Sequence, residues 1–372
     1  MAEKKKILIT GASGFIGSFL CDEALRRGMS VWAGMRRSSS RKWLQNEWLQ
    51  FCILDMTKRD TLKQQLEDFK AKHGRWDVVV HAAGATKCLR KEDFDLHNFQ
   101  CTKNLVDLLI ELDMVPDSFI YVSSLSILGP LREQAVEPHD VALLSGTGAS
   151  QEFIDTYTVK KSVYQQMTEL DEPRPNTAYG ESKLKSEKYL HRLAVELEQA
   201  GKPKFPYVIF RPTGVYGPRE MDYALMAKSI RQHVDFAVGY KPQEITFVYV
   251  QDLVDAIYAA VDKGVSGRTY FVSDGFVYSS RAFSDLIQRQ LGVKRVLHIT
   301  APLWVLRCVS AVAETFSRMV GKTSTLNGDK YKIMKQRNWK CDITPLQREL
   351  GFTPQWNLER GVKACAEWYK KV

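Results

Sequence analysis

Short apolar runs alternate with longer segments of helical periodicity through the first half of the chain. The apolar runs are rich in Val and Ile and lack polar alternation, which is typical of strands buried on both faces. Strands separated by helices predict βαβ units and a parallel sheet. The predicted strands are Lys6–Thr10, Ser30–Gly34, Leu49–Leu54, Trp76–Ala82, Ser118–Ser123 and Tyr207–Arg211, and the predicted helices are Phe15–Arg27, Thr57–Lys72, Asp93–Leu112 and Tyr179–Gln199.

Two stretches depart from this rhythm. Leu131–Val159 is polar and predicts a long loop, which could cover a pocket or form a surface insertion. After Pro212 the elements become short and mixed, with many aromatic residues. We therefore expect an α/β fold, a Rossmann-type doubly wound parallel sheet with a smaller C-terminal mixed α/β substrate lobe. The expected domains are 1–211 with a returning segment at about 250–275, and a lobe of 212–249 and 276–372.

Composition places the chain among packed globular proteins. Of its 372 residues 44% are hydrophobic and 26% are charged, which excludes a disordered or collagen-like chain. No apolar run is long enough for a spanning helix, and the N-terminal run Ile7–Ile9 is too short for a signal peptide, so we expect a cytoplasmic protein. The seven cysteines form no Cys-x-x-Cys pair, which favours reduced thiols and no metal site.

The formal net charge of +10 is concentrated near the C-terminus. Residues 300–372 contain 13 Lys and Arg against 6 Asp and Glu, a difference of +7 that suits a solvated face, an anionic ligand or a membrane surface. No zinc-finger or RNP motif accompanies the charge, so we expect no nucleic-acid partner. Pro302–Val320 has a narrow polar stripe and a broad apolar face. That face could be lobe core, a subunit contact, or a peripheral contact with the inner surface of a membrane.

Three glycines follow the first predicted strand directly and open the first helix. Gly11, Gly14 and Gly17 permit a tight turn, close approach of the backbone to a pyrophosphate, and close packing of the helix on the strand. The start of the helix then faces the phosphate charge. The segment predicts a dinucleotide site that includes Ser13, Phe15 and Ile16.

The spacing Gly-x-x-Gly-x-x-Gly resembles that of the short-chain dehydrogenase/reductase superfamily, specifically its extended branch of epimerases, dehydratases and reductases. NAD enzymes carry an acid at the end of the second strand to bind the ribose 2′-hydroxyl. This chain has Arg36 and Arg37 there and no acid. An arginine pair suits a 2′-phosphate, so we expect NADP(H), unless the two side chains are simply solvated.

The resemblance implies further cofactor contacts. It places an adenine contact at Asp55 and Met56. It places the contacts with the nicotinamide end of the cofactor in three later segments of the chain. The remaining implied cofactor residues are His81, Ala82, Ala83, Gly84, Ser123, Pro212, Thr213 and Gly214.

Tyr179 and Lys183 are four residues apart at the start of a predicted helix, so they share one face. An ammonium group beside a phenol lowers the pKa of the phenol, which lets Tyr179 act as a general acid or base. The resemblance implies that Lys183 also binds the nicotinamide ribose. It implies Ser124 as the third catalytic residue, with Ser123 and Ser126 as alternatives.

The same family resemblance assigns two further features. Asn98 matches a position at which an asparagine either kinks its helix or relays protons. The predicted helices Asp93–Leu112 and Tyr179–Gln199 match the family's dimer helices, so we expect a homodimer.

The two residues that follow Ser124 bear on the reaction class. Family dehydratases carry an Asp-Glu pair next, whereas this chain has Leu125 and Ser126, so dehydration is not expected. The arginine pair favours NADP(H)-dependent interconversion of a ketone and a secondary alcohol. The apolar helix suggests a hydrophobic substrate, such as a long-chain keto lipid of the 3-ketosphinganine type or a steroid-like ketone. A nucleotide-sugar epimerase is the alternative, and a non-catalytic NADP-sensing scaffold is the alternative from another class.

Overall fold

The computed structural model describes residues 4–141, 148–320 and 327–371. Its strands are β1 (Lys6–Thr10), β2 (Ser30–Met35), β3 (Gln50–Ile53), β4 (Val78–His81), β5 (Ser118–Val122), β6 (His139–Asp140), β7 (Lys161–Ser162), β8 (Tyr207–Pro212), β9 (Gly214–Tyr216), β10 (Val234–Val238), β11 (Glu244–Ile245), β12 (Phe247–Tyr249), β13 (Arg268–Val272), β14 (Tyr278–Ser279) and β15 (Leu297–Ala301).

The described residues also form α-helices, numbered here in chain order. They are α1 (Phe15–Arg26), α2 (Arg59–His73), α3 (Lys91–Phe94), α4 (Cys101–Glu111), α5 (Gln151–Tyr157), α6 (Ala178–Gln199), α7 (Asp222–Arg231), α8 (Val250–Lys263), α9 (Ala282–Leu291), α10 (Leu303–Val320), α11 (Gly328–Lys335), α12 (Thr344–Leu350) and α13 (Leu358–Lys371). Across the described ranges, no helix is both long and apolar enough to cross a membrane.

Seven strands form one large sheet in the order β3-β2-β1-β4-β5-β8-β13. The pairs β1–β2, β1–β4, β2–β3, β4–β5 and β5–β8 are all parallel. The strand order reverses between β1 and β4, and ligands of such sheets bind at the carboxyl ends of the strands at this reversal. The predicted Rossmann-type parallel sheet is confirmed.

The chain divides into two compact units. The first contains residues 1–124, 178–211 and 254–270 and holds most of the sheet. Its core packs Phe69 of α2 against β2 and the segment before β4: the rings of Phe69 and Trp76 stack at 3.9 Å, and Trp32 meets Phe69 edge-on at 5.5 Å. This core fixes the strand ends that carry the candidate site.

The second unit contains residues 125–177, 212–253 and 271–372. Its core is also aromatic, with Phe247 stacked on Phe283 at 5.0 Å and Tyr216 edge-on to both. The sequence analysis placed all of 1–211 in one domain, but residues 125–177 group with the second unit. Their backbone pairs with its C-terminal part, for example through the bridge between Met167 and Cys341.

Two predicted elements differ from the structure. The helix expected over Asp93–Leu112 is α3, a π-helical turn over Asp95–Gln100, and α4. The loop expected over Leu131–Val159 contains β6 and α5 within its described part, and residues 142–147 lie outside the described residues. The side chain of Ser150 caps α5 by accepting from the Phe153 N–H at 3.1 Å, a signal that the sequence contained.

Candidate active site

The turn between β1 and α1 is built around glycine. Gly11 has a left-handed φ of +69°, and the Gly14 N–H donates to the Gly11 carbonyl oxygen at 2.9 Å. A Cβ on Gly17 would lie 2.1 Å from that carbonyl oxygen, so only glycine lets α1 approach the turn this closely. Gly14 caps α1 without a side-chain hydrogen bond, which leaves the first N–H groups of the helix for an anionic ligand. Ser13, Phe15 and Ile16 complete the turn and are partly buried.

The end of β4 lies beside this turn. A Cβ on Gly11 would lie 2.7 Å from the Ala83 backbone nitrogen, so the two strand ends meet through backbone alone. A Cβ on Gly84 would lie 3.0 Å from Asn98 Oδ1 and 3.2 Å from Lys183 Nζ. The small residues after β4 therefore keep backbone accessible beside two polar side chains, and this cradle fits a dinucleotide.

His81, at the end of β4, is fully buried and holds its neighbours together. Its ring nitrogens hydrogen-bond the hydroxyls of Thr10 at 2.7 Å and Thr102 at 3.0 Å. Burial lowers the pKa of His81 to about 3, so the ring stays neutral. The side chain links β1, β4 and α4, and only the backbone of this residue remains for a cofactor.

Asn98 lies in the π-helical turn between α3 and α4, and all of its side-chain bonding capacity is directed at protein. Its Oδ1 accepts from the Ala85 N–H at 2.7 Å, while its Nδ2 donates to the Ala85 carbonyl oxygen at 3.1 Å and to Ser182 Oγ at 2.8 Å. Asn98 therefore ties the segment after β4 to α6. The expected helix distortion is present at this residue, in a turn type that often marks functional sites.

Tyr179 and Ser124 meet at the end of β5. Their hydroxyl groups form a hydrogen bond, and both side chains are partly exposed. Burial raises the pKa of the Tyr179 phenol above its usual value, and the hydrogen bond with Ser124 acts in the opposite direction. Lys183 was expected to lower this pKa, but the pKa is raised by burial, and the lowering influence in the structure is the Ser124 hydrogen bond rather than the Lys183 ammonium group.

Lys183 is buried one helical turn beyond Tyr179. Its Nζ donates to the Val122 carbonyl oxygen at 2.7 Å and lies 4.8 Å from the centre of the Tyr121 ring. Burial lowers the pKa of Lys183 to about 8, and the Glu187 carboxylate partly offsets that effect. The ammonium group therefore contacts the backbone at the carboxyl end of β5, where Val122 lies two residues before Ser124.

The lowered pKa of Lys183 predicts a pH-dependent stability. Between about pH 8 and pH 10.5 the unfolded chain binds more protons at this residue than the folded chain, so the free energy of unfolding rises with pH. We expect the unfolding free energy of the wild type to rise relative to that of Lys183→Met by up to about 1.4 kcal/mol per pH unit in this window. Urea denaturation at pH 8, 9 and 10 measures it.

The matched control is Lys188→Met, the same substitution at an exposed position of α6. It should retain the pH dependence of the wild type. A constant difference between the wild type and Lys183→Met across this window would contradict a lowered pKa at Lys183.

Arg36 and Arg37 follow β2 directly and are exposed. Within the described part of the chain, neither guanidinium group forms an ion pair with a carboxylate. Asp55 follows β3, and its carboxylate accepts from the Thr57 hydroxyl at 2.6 Å. The Met56 carbonyl oxygen accepts from the amide of Asn104 on α4 at 2.9 Å. The carboxyl ends of neighbouring β2 and β3 therefore carry two available cations and one partly buried acid.

The remaining predicted residues divide between the units. Ser123 is buried, and its hydroxyl has no hydrogen-bond partner among the described residues, whereas Ser124 reaches Tyr179. Ser126 lies in a 3-10 turn of the second unit. Pro212, Thr213 and Gly214 belong to the second unit as well.

The segment after β8 has its own local constraints. The Thr213 N–H donates to the Val272 carbonyl oxygen at 3.1 Å, and the buried Thr213 hydroxyl has no partner within the described residues. A Cβ on Gly214 would lie 2.7 Å from the Tyr223 hydroxyl, so packing alone requires glycine there.

A buried ion pair between α6 and β8 was not predicted from the sequence. Glu187 Oε2 accepts from Arg211 Nη2 at 2.7 Å, with both side chains almost fully buried. Glu187 is four residues after Lys183 and eight after Tyr179, so helical periodicity could have placed it on the same face. Within the described residues, no cluster of three or more His, Cys, Asp or Glu is arranged to hold a metal ion.

Comparisons with known proteins identify the family and the fold. A family model described as the NAD dependent epimerase/dehydratase family matches residues 7–273. The dTDP-L-rhamnose 4-epimerase of Burkholderia thailandensis is 22% identical, over 99% of this chain and 96% of that protein. The 4-hydroxy-2-methyl-3-oxo-4-farnesyl-3,4-dihydroquinoline-1-oxide ketoreductase of Stigmatella aurantiaca is 22% identical, over 97% and 96%. A crystal structure of UDP-glucose 4-epimerase from Thermotoga maritima matches with a TM-score of 0.69 at 20% identity, covering 98% of this chain and 99% of that one.

Proposed function

Because the chain belongs to the NAD dependent epimerase/dehydratase family, and so is an enzyme of the short-chain dehydrogenase/reductase type, we propose that it interconverts a ketone and a secondary alcohol with NADP(H). The observation that carries the proposal is the Ser124–Tyr179 hydrogen bond, with Lys183 one helical turn away, in the unit that also holds the glycine turn. The substrate that we propose is a hydrophobic ketone.

The residues present fit the cofactor. The glycine turn and the start of α1 would hold the pyrophosphate, and Arg36 and Arg37 would hold the 2′-phosphate. Asp55 and Met56 would contact the adenine, and the backbone of 81–84 would carry the nicotinamide ribose together with Lys183. Ser123 would contact the nicotinamide, and its buried hydroxyl, which has no partner among the described residues, supports that assignment. A bound nicotinamide supplies or accepts the hydride.

The protein's own task is to position the substrate and to move one proton. The Ser124 hydroxyl would donate a hydrogen bond to the substrate oxygen and so hold that oxygen beside the Tyr179 phenol. In reduction Tyr179 gives its proton to the oxygen of the forming alcohol, and in oxidation the phenolate takes that proton back. Lys183, one helical turn away, would supply a positive charge that favours the phenolate during the reaction, and its pKa of about 8 lies close to working pH.

Two observations bear on the substrate. The relative from Stigmatella aurantiaca is named as a ketoreductase of a farnesyl-bearing compound, which supports a hydrophobic ketone such as a 3-ketosphinganine-type lipid or a steroid-like ketone. The relatives named as sugar epimerases favour the second candidate, a nucleotide-sugar epimerase. The exposed arginine pair favours the first, because reductases that release their cofactor in each turnover often use NADP(H).

A substrate panel separates the two candidates. The wild type is expected to oxidise NADPH with a long-chain 3-keto lipid or a 3-ketosteroid, followed by the loss of absorbance at 340 nm. UDP-glucose and dTDP-rhamnose serve as the competing substrates, with product stereochemistry read by NMR. Epimerisation of a nucleotide sugar without net oxidation of NADPH, and no turnover of any ketone, would refute the reductase proposal.

The proposal also covers the oligomeric state of the protein and its location in the cell. We infer a homodimer formed through α4 and α6, which sedimentation velocity at micromolar concentration tests. We also infer a cytoplasmic protein that makes a peripheral contact with the inner surface of a membrane.

A further inference from the structure

Of the thirteen exposed large apolar side chains within the described residues, six lie on three elements of the second unit, β10, β15 and α10, and a seventh, Tyr240, lies just after β10. We call their exposed faces the outer apolar surface. It is defined by Phe236, Tyr240, Leu297, Ile299, Trp304 and Val312. Soluble monomers seldom expose large apolar side chains in such concentration, so this surface calls for an occupant.

The two strands form a small parallel sheet with one open face. Phe236 pairs in register with Ile299, so both project from the same face as Leu297. The Phe236 and Leu297 side chains are 62% and 64% exposed. The opposite face carries Asp235, whose carboxylate accepts from Arg281 at 3.0 Å and from Ser284 on α9 at 3.2 Å. One face is therefore held by α9, and the other presents apolar side chains outward.

Helix α10 continues the surface after a single connecting residue. Gly239, just after β10, is close to the start of this helix, since a Cβ there would lie 3.6 Å from Leu303 Cγ. Trp304 and Val312 are each 69% exposed. Ser310, on the opposite side, is buried without a hydrogen-bond partner among the described residues. The helix thus turns a polar residue inward and apolar residues outward, the reverse of an ordinary surface helix.

The charges in the segment that carries most of this surface, residues 294–312, have one sign. Residues 294–312 contain Lys294, Arg295 and Arg307 and no Asp or Glu. All three side chains are exposed, and none forms an ion pair within the described ranges. Lys241, just beyond β10, adds a fourth exposed cation. Apolar side chains with a cationic margin are complementary to an anionic lipid surface.

A second copy of the chain fits this surface less well. A two-fold contact is formed by the same surface on both subunits, so it would bring the cations of one protomer against those of the other. Like charges facing each other across an interface oppose association. Trp304 and Tyr240 are also the amphipathic side chains that favour the headgroup region of a bilayer.

We propose that the outer apolar surface docks the protein on anionic phospholipid, with the exposed side chains of β10, β15 and α10 entering the headgroup boundary and Lys294, Arg295 and Arg307 contacting lipid phosphates. The outer apolar surface is thus the part of the protein that would make the proposed peripheral contact with a membrane. This contact does not depend on the identity of the reaction, because lipid binding requires no turnover.

Flotation of the full-length protein with vesicles tests the proposal. Vesicles of phosphatidylcholine with 30 mol% phosphatidylglycerol should bind the wild type, and pure phosphatidylcholine vesicles should bind it much less. Trp304→Ser/Val312→Ser and, separately, Phe236→Ser/Leu297→Ser should each weaken binding by about tenfold or more, because both remove apolar area that enters the bilayer. Lys294→Glu/Arg295→Glu should weaken it similarly at low salt and less at high salt.

The control is Trp48→Ser, which removes a tryptophan of the first unit that is 73% exposed. It should bind vesicles as the wild type does. Failure of the wild type to bind the anionic vesicles overturns the proposal, as does an equal loss of binding in Trp48→Ser. So does a wild-type dimer that Trp304→Ser/Val312→Ser converts to monomer in sedimentation, since the surface is then a contact between copies. Ketone reduction in solution is measured separately, so the proposed reaction can fail while lipid binding holds.

Discussion

Tyr179→Phe is expected to lower kcat by about a thousandfold, within the range of about 10²–10⁴ that a positioned general acid or base contributes. The substitution removes the one proton that the mechanism transfers and leaves the ring in place. The affinity for NADPH should stay nearly the same, because in the proposed site the glycine turn and the arginine pair would hold most of the cofactor. Steady-state kinetics with the best ketone of the panel, together with a fluorescence titration of NADPH, measure both quantities.

Tyr258→Phe is the matched control. It removes the same atom from another tyrosine of the first unit, whose hydroxyl donates to the Leu20 carbonyl oxygen at 2.8 Å. This control should keep kcat near that of the wild type. An unchanged kcat in Tyr179→Phe would reject Tyr179 as the proton donor. Binding of NADPH by the wild type without turnover of any substrate in the panel would instead favour the non-catalytic scaffold.

The features that the sequence predicted well are local ones. The glycine turn could be found because the strand before it, the spacing within it and the helix after it all lie between Lys6 and Arg26. The helix face shared by Tyr179 and Lys183 follows from a spacing of four residues. These patterns suffice because a dinucleotide turn and one helical face each depend on neighbours in the chain.

The features that it missed depend on distant partners. Asn98 donates to Ser182, a residue 84 positions away, and only the fold shows that these two side chains meet. The direction of the pKa shift at Tyr179 depends on how far the phenol is desolvated, and no sequence spacing gives that quantity. The position of Lys183 four residues away was visible in the sequence, but the burial of the phenol was not.

The grouping of residues 125–177 was missed for the same reason. Lys340 donates to the Tyr164 carbonyl oxygen at 2.6 Å, and Asn338 donates to the Gln165 carbonyl oxygen at 2.9 Å. Glu244 accepts from the Val163 N–H at 2.8 Å. These partners come from the far C-terminal part of the chain and from the strand β11, so a polar stretch that looked like an isolated loop is hydrogen-bonded into the second unit.

Helix α10 shows a different limit. Its periodicity correctly identified a broad apolar face, but periodicity alone does not say which side of a helix is buried. In the structure Leu306 and Ser310 face inward while Trp304, Val309 and Val312 are exposed. Ser310 belongs to the polar stripe and is nevertheless buried, whereas several side chains of the broad apolar face are exposed and form a surface in need of a partner.

The second large effect is expected at the cofactor phosphate. Arg36→Ala/Arg37→Ala should raise the dissociation constant for NADPH by about a hundredfold, because a hydrogen bond to a charged group contributes about 1.5–3 kcal/mol. The two exposed side chains should share that loss, since water screens each of them. The affinity for NADH should hardly change, because NADH has no 2′-phosphate. Isothermal titration with both cofactors gives the two constants.

Arg41→Ala/Lys42→Ala is the control, because it removes two charges from the same loop without touching the end of β2. Arg41 lies 3.9 Å from the centre of the Phe51 ring, and Lys42 lies 4.4 Å from that of Trp43. If the preference for NADPH comes from the general positive charge of this loop, both double variants will lose it equally. If Arg36 and Arg37 bind the phosphate directly, only their removal will bring the NADPH constant up to that of NADH. A wild type that prefers NADH would overturn the NADP(H) proposal and strengthen the nucleotide-sugar epimerase as its alternative.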